Sequence, residues 1–447
     1  MWYNIEDSRR ILTYEKYERF YNNQYTSAEK NKLPVDSIYY VAANLAKSII
    51  EITPDFLFGE APRVTSKNQD LIDYIAETTK FNTLMYRTAL TATIKGDAVI
   101  KLYLHNNQVK AQLIQPENFF PTYNLFGDLE EVTIATIIET EEKFSYLLKE
   151  IITKEKIIRS LHKIDENKNI KEDLSITSHP LTKGLAASEI NVLGIVPIIH
   201  IPNILSPKSD TFGVADLAGC DELILAINKR LTEIDYIITK HADPKLQVPM
   251  GILDSVRNLD IIEQGDAKFV HITGLDNQDF KVIEKSPQDA EMKYVQPDLN
   301  LASAFEELDR LVNLLLLQTK TSPSLVNNNK DGGQAESGKA LRLRLMDTER
   351  KLRQKKVFYE KAIKEFYTIA QMLLNKQPEI VDVEFINMLN DTTENIDNAL
   401  KLYNNNLISH KEALKIAYPN TAEEEIDRMI LEKIEETLFN NKSPEQP

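Results

Sequence analysis

The 447-residue sequence holds a single cysteine, Cys220. An internal disulfide is impossible, which excludes a disulfide-built scaffold and points to a reducing compartment. Histidine is sparse, seven in all. No His/Cys pair stands at ligand spacing, so a zinc site is not expected. No run of about 18 apolar residues exists, so neither a membrane span nor a membrane partner is expected. The opening MWYNIEDSRR has no apolar core of a secretory leader. Basic residues are outnumbered, 53 against 68 acids, for a net charge of −15. That balance argues against a whole surface committed to phosphate neutralisation. No nucleophile triad, metal cluster or carboxylate pair stands out, so neither catalysis nor a cofactor is expected.

What is present is apolar mass in long patterned segments. Hydrophobic residues make up 42% of the chain, enough for substantial cores. The length fits several domains or one elongated subunit in several parts. The chain is organised around residues 308–375. A Leu-rich helix end (Leu311, Val312, Leu314, Leu315, Leu316, Leu317) stops at Ser322-Pro323, because proline excludes the helical state for the residue before it. A polar loop follows, with Asn327, Asn328, Asn329, Lys330, Asp331 and three glycines, Gly332, Gly333 and Gly338. From about residue 335 to 375 the only glycine is Gly338 and there is no proline, so one unusually long helix is expected. That rod is basic. Between Lys339 and Lys364, Lys339, Arg342, Arg344, Arg350, Lys351, Arg353, Lys355, Lys356, Lys361 and Lys364 face only Asp347, Glu349 and Glu360. A basic island in an acidic chain is read as facing DNA or a neighbouring subunit, and the plainer reading is a solvated helix face. Gly333–Lys339 comes close to a phosphate-binding loop, but Ala340 stands where a Ser or Thr would hold Mg²⁺ and no strand precedes it.

Residues 6–24 read as a surface helix or arm, and 37–52 as a second helix capped by Asp36. Residues 53–62, with Pro54, Gly59 and Pro62, read as a compact turn holding Phe56, Leu57 and Phe58. Helices are expected at 68–79 and 81–95, the second ending at Gly96. Alternation then gives a hairpin, 98–104 and 109–115, turned by His105-Asn106-Asn107. Residues 132–140 read as a strand. The stretch 144–164 fits two strands or a helix, 165–175 a polar loop, and 196–201 a buried strand containing His200. From Phe212-Gly213 a helix of about thirty residues is expected, its seam formed by Leu217, Ile224, Ile227, Leu231, Ile234 and Ile238 at coiled-coil spacing. Pro244 ends it. Short β pieces fill 246–285, and Pro297-Asp298 starts another apolar-seamed helix. Beyond Pro378 come a short extended piece, 381–385, and three small helices, with Ser409 and Thr421 as caps.

Several of these segments, in order, resemble the portal proteins of tailed bacteriophages, in the Gp6-like branch from phages of Gram-positive hosts. They are Asp55-Phe56-Leu57-Phe58-Gly59-Glu60 with Pro62; Gly96-Asp97-Ala98; Ile198-Ile199-His200-Ile201-Pro202-Asn203; Phe212-Gly213 with Asp216-Leu217; and Ala226-Ile227-Asn228 with Leu231, Asp235 and Lys240-His241-Ala242-Asp243-Pro244. Gly332-Gly333 and Ser337-Gly338 with Ala340-Leu341-Arg342 complete the set. The likeness spans most of residues 47–374.

The resemblance implies an α+β subunit. Its parts would be a wing (1–211), a stem helix (212–243), a clip (244–297), a second stem helix (298–320), a tunnel loop (321–338), a long helix closing the wing (339–377) and a helical crown with tail (378–447). It implies a homo-oligomeric ring, usually of twelve copies, at one capsid vertex of the virion, assembled in the host cytoplasm. Double-stranded DNA would pass through it without sequence preference during packaging and ejection. Its partners would be the large terminase subunit, scaffolding and major capsid proteins, and a head-tail adaptor. Asn327, Asn328, Asn329 and Lys330 would be the channel-loop neighbours of DNA. Two other classes compete: a nucleic-acid-associated ATPase using the Gly333–Lys339 loop, and a coiled-coil scaffold built on the Leu217–Ile238 seam.

Overall fold

Where apolar residues repeat and where prolines and glycines interrupt them largely decides the architecture. A computed structural model describes residues 3–30, 40–138, 145–166, 168–206, 209–241, 245–249, 259–264, 267–272, 279–285, 293–295, 301–326, 338–385, 392–418, 421 and 423–440. The chain forms two units. The first comprises Met1–Asn22, Ala46–Ala218 and Thr319–Pro447; the second, Asn23–Leu45 and Gly219–Gln318.

The first unit is α+β. Its opening helix, Ile5–Tyr21, is capped by Asn4, whose side chain accepts from the Asp7 amide, and it buries Ile11, Tyr14, Tyr17 and Phe20. It is therefore a packed element, against Phe81–Lys95, and not a surface arm. The next helix differs from expectation. It runs Leu45–Phe58 with Pro54 inside, so the apparent turn at 53–58 is helical and 40–44 lie outside it. Pro54 cannot donate to the preceding turn. Burial of Leu57 and Phe58 outweighs that loss: Phe58 packs edge-on against Tyr359 and Phe385. Helices Gln69–Thr79 and Phe81–Lys95 follow as expected, joined by Lys80 in the left-handed region and ended by Gly96.

The hairpin Asp97–His105 and Gln108–Ile114 turns at Asn106 and Asn107, both with positive φ, the conformation of a tight two-residue hairpin loop. Ile198–Pro202 pairs with the other edge of Asp97–His105, His200 opposite Val99. A second antiparallel sheet holds Phe119–Tyr123, Leu129–Ile138, Ser145–Thr153, Lys156–Ile164 and Ile170–Leu174, with Ser188–Ile190 also pairing with Lys156–Ile164. The ambiguous 144–164 stretch is thus two strands. The expected loop at 165–175 contains a strand too, because its polar residues lie on a sheet edge and not in a core. The long helix runs Gly338–Leu373, 36 residues, about 54 Å at 1.5 Å per residue. Leu352, Tyr359, Ile363, Phe366, Tyr367 and Ala370 on it join Leu57, Phe58, Ile72, Phe81, Ile100 and Ile201 in one core. Asp382–Glu384 pairs with Arg63–Thr65. Three helices follow, Thr392–Asn404, His410–Ala417 and Glu423–Asn440. Ser409 and Glu412 form a reciprocal capping box on the middle one.

In the second unit, Asp221–His241 packs against Ala302–Gln318, and Arg230 bridges Glu233 and Glu307, each at 2.6 Å. The segment before Leu45 is strapped to the first of these helices. The Val41 amide donates to Thr232 Oγ1 at 3.1 Å and the Ala43 amide to Asn228 Oδ1 at 3.2 Å. The helix begins nine residues later than Phe212-Gly213 suggests. Ser209–Gly213 is instead a strand paired with Leu205–Ser206, and Gly219 adopts a positive φ before the helix starts. Between the two helices lies a five-stranded sheet. Its order is Leu259–Gln264, Ala267–Ile272, Asp279–Lys285, Lys245–Pro249, Lys293–Val295.

The strands that come first and last in the chain, Lys245–Pro249 and Lys293–Val295, are antiparallel neighbours, with Lys245 opposite Val295. Its entry and exit therefore lie about 5 Å apart, the spacing of directly paired residues. Replacing residues 246–294 by a short Gly/Ser linker should leave the first unit folded. Far-UV circular dichroism and a cooperative melt within a few degrees of the full chain are the expected results; loss of the melt would contradict a self-contained insertion.

Candidate functional site

Charged and polar residues that interrupt apolar stretches of the sequence meet at one buried point in the first unit. At its centre is the Asp216 carboxylate. Oδ1 accepts from Lys355 Nζ at 2.6 Å and from Asn203 Nδ2 at 2.8 Å, and Oδ2 lies 2.9 Å from Lys351 Nζ. All three charged side chains are almost wholly buried. Lys355 also donates to Thr53 Oγ1 at 2.9 Å, and Lys351 to the Thr319 carbonyl at 2.9 Å. Lys351 and Lys355 are one helical turn apart and project on the side that buries Leu345, Leu352 and Tyr359.

The electrostatics follow from two ammonium groups sharing one carboxylate. Burial pushes the Asp216 pKa up, but Lys355, Lys351 and the hydrogen bonds outweigh it and hold the carboxyl well below the usual range. Burial lowers Lys355 to about 8; Asp216 pulls it up and Lys351 pushes it down. Each charged group is paired with another group of the chain, so the arrangement holds segments together. Among the described residues no group of three or more His, Cys, Asp or Glu is placed to hold a metal ion.

Local geometry explains why these segments can meet. Asn203 donates its amide to the Gly96 carbonyl at 2.8 Å and its side chain to the Val214 carbonyl at 2.9 Å. The Asp216 amide donates to the Thr93 carbonyl at 3.1 Å. A Cβ on Gly213 would run into the Gly96 carbonyl oxygen, and Gly96 has φ +100, so both positions require glycine. Asp97 forms the adjoining layer. Its carboxylate accepts from the Gly213 amide at 2.9 Å and from Tyr14 Oη at 2.5 Å, and pairs with His200 Nε2 at 2.8 Å. Burial and Asp97 push the Tyr14 hydroxyl far above its usual pKa, so it remains a donor. His200 is thus held in this layer by Asp97, its side chain buried.

The chain leaves the first unit twice, for residues 23–45 and for 219–318, and the site lies at the second of these excursions. Asp216 precedes the exit at Ala218, and Thr319 is the first residue after the return. Thr348 Oγ1 accepts from the Ser322 amide at 2.8 Å and donates to the Lys320 carbonyl at 3.3 Å. Two turns of the long helix, carrying Thr348, Lys351 and Lys355, therefore grip both passages.

Of the cations read as outward-facing, Lys351 is a correction: it turns inward because Asp216 and the Thr319 carbonyl are its partners. Arg344, Arg350 and Arg353 are exposed, the last two beside Asp347 and Glu349. Lys339 and Arg342 lie in the helix, but their side chains lie outside the described residues, as do Asn327, Asn328, Asn329 and Lys330. In the seam, Ile224, Ile227 and Ile234 are buried, Leu231 half-buried and Ile238 exposed. Leu217 is buried but precedes the helix and belongs to the first unit, a second correction with the same cause: Asp216 fixes that turn. The roles of Asp216, Asn203, Asp97 and Lys355 were missed. The available signal was lysine at 351 and 355 on the apolar side of the 345–352–359–366 repeat.

The model of a family described as phage portal protein, SPP1 Gp6-like, matches residues 2–437. Among solved structures, a chain from the virion of a native gene transfer agent particle is similar at 10% identity and TM-score 0.46, covering 83% of this chain and 89% of that one. A chain from the neck of the empty particle, computed with C6 symmetry, gives 9% and 0.48 with the same coverage. One from the neck of the native particle, computed with C12 symmetry, gives 10% and 0.46, again with that coverage. No curated protein matches the chain.

Asp216→Asn leaves two buried ammonium groups uncompensated and should cost about 3–5 kcal/mol of stability. The triple variant Asp216→Leu, Lys351→Met, Lys355→Met should recover most of it. Because the folded pKa of Asp216 is depressed, its contribution is full above the ordinary Asp value and is lost as pH falls below it. Lys355 is also depressed. Its charged form is penalised below pH about 8, and stability gained from this group rises from there toward the ordinary lysine value. Chemical denaturation across pH checks both; a triple variant no more stable than Asp216→Asn would contradict the assignment.

Proposed function

The chain belongs to the SPP1 Gp6-like phage portal proteins, and on that premise we propose that it forms a closed homo-oligomeric ring at one capsid vertex. The ring is the conduit through which double-stranded DNA is packaged and later ejected. The family match over residues 2–437 is the observation that carries this reading.

Several features support the division of labour. The paired helices Asp221–His241 and Ala302–Gln318 act as the stem. The five-stranded sheet between them acts as the clip, which docks the packaging motor (the large terminase subunit) and later the head-tail adaptor. Residues 321–338 form the tunnel loop, where Asn327, Asn328, Asn329 and Lys330 meet DNA through short-lived hydrogen bonds. The first unit, its C-terminal helices included, meets scaffolding and major capsid proteins. An acidic chain suits a conduit, because strong phosphate attraction would brake a sliding polyanion. Arg344, Arg350 and Arg353 on the exposed side of the long helix face a neighbouring subunit or DNA. The portal itself performs no chemistry in this reading; the motor hydrolyses ATP.

The ring is tested on purified protein by analytical ultracentrifugation with electron microscopy. A closed ring of one large size, persisting at low and high salt, is the expected outcome. Only monomers, dimers or trimers at both salts would overturn the reading, and dimers or trimers would favour a coiled-coil scaffold.

A further inference from the structure

Two separate surfaces of the first unit are open in a single copy and complement one another. One is the turn between Phe119–Tyr123 and Leu129–Ile138. It is held by its own hydrogen bonds. Asn124 Oδ1 accepts from the amides of Phe126 and Asp128, each at 2.9 Å, and the Asn124 amide donates to the Asp128 carbonyl at 3.0 Å. Gly127 adopts φ +83 to close it. This ordered turn presents Leu125 and Phe126 at 101% and 90% exposure, beside the exposed acids Asp128 and Glu130. Single exposed hydrophobes are ordinary, but two adjacent large ones on a fixed turn make a contact surface.

The other surface is the open side of the long helix. Leu343, Arg350 and Val357 stand seven residues apart and so lie on one stripe. Leu343 is 61% and Val357 66% exposed. Arg353 adjoins them, and across this stretch the cations not buried against Asp216 (Arg344, Arg350, Arg353, Lys356) outnumber Asp347 and Glu349. The turn is apolar and acidic; the stripe is apolar and basic.

We propose that the 124–128 turn of one copy docks on the Leu343–Arg350–Val357 stripe of a second copy. Leu125 and Phe126 cover Leu343 and Val357, and Asp128 and Glu130 face Arg350 and Arg353. The contact joins two different surfaces, so it is heterologous, and such contacts propagate around a ring instead of ending at a dimer. It rests on the ring reading above and names a contact that builds the ring.

Cysteine cross-linking tests it, since the chain's own Cys220 is buried. Two double variants are prepared, Leu125→Cys with Leu343→Cys and Leu125→Cys with Val357→Cys, alongside each single variant. All substituted positions are exposed, so folding is preserved and is checked by circular dichroism. After mild oxidation, at least one double variant should give a ladder of linked subunits on a non-reducing gel, about tenfold above any single variant, because disulfides form only between closely apposed Cβ atoms. Charge reversal at Asp128 and Glu130 to Lys should reduce assembly, and Arg350→Glu with Arg353→Glu should restore it. Rings visible by microscopy with no ladder from either pair overturn the proposed contact while leaving the ring intact. A strong linked dimer from Leu125→Cys alone overturns it too, since that places the turn against itself. Absence of rings from the unmodified chain overturns the ring reading, and this contact with it.

Discussion

The structure depends on one buried carboxylate. Asp216 has both oxygens directed at lysines of the long helix, and it sits beside the point where the chain leaves the first unit. An unpaired charge in that position would be strongly unfavourable; a paired one is close to neutral against apolar residues of the same size. The cluster therefore contributes less to net stability than to choosing one arrangement. Only with Asp216 at its turn, Lys351 and Lys355 facing inward and the Thr319 carbonyl in reach is each charge of the cluster paired. The glycines at 96 and 213 remove the steric obstacle to that arrangement, and Asp97, His200 and Tyr14 brace the layer next to it.

This junction gives the long helix a mechanical role. It runs through the core of the first unit and also grips the chain on either side of the 219–318 excursion, two of the four points where the chain passes between the units. Residues 214–218 and 319–322 are the covalent links from the first unit to the paired helices and their inserted sheet.

Much of the fold was legible in the sequence, and the reasons are local. Gly96 ended a helix, Asn106-Asn107 turned a hairpin, and Ser409 capped a helix, because each of those signals acts within a few residues. The failures came where distant packing overrode local preference. Pro54 sits inside a helix because Leu57 and Phe58 are needed in the core. Leu217 continued the heptad spacing of the following helix, yet belongs to the turn that Asp216 fixes. Residues 170–174 form an edge strand whose polar composition resembles a loop. At the site, the motif residues were visible, but their common destination was not. Asp97, His200, Asn203, Gly213 and Asp216 span more than a hundred positions, and their partners Lys351 and Lys355 were hidden among ten cations that looked alike in composition.

The claim that one stretch of helix holds both ends of the 219–318 excursion is tested most directly by hydrogen–deuterium exchange on Lys351→Met compared with the unaltered chain. The account predicts that amides at 214–218 and at 319–322 lose protection together, while the hairpin Asp97–His105 and Gln108–Ile114 keeps its own. Loss of protection at only one passage, or at neither, would contradict it.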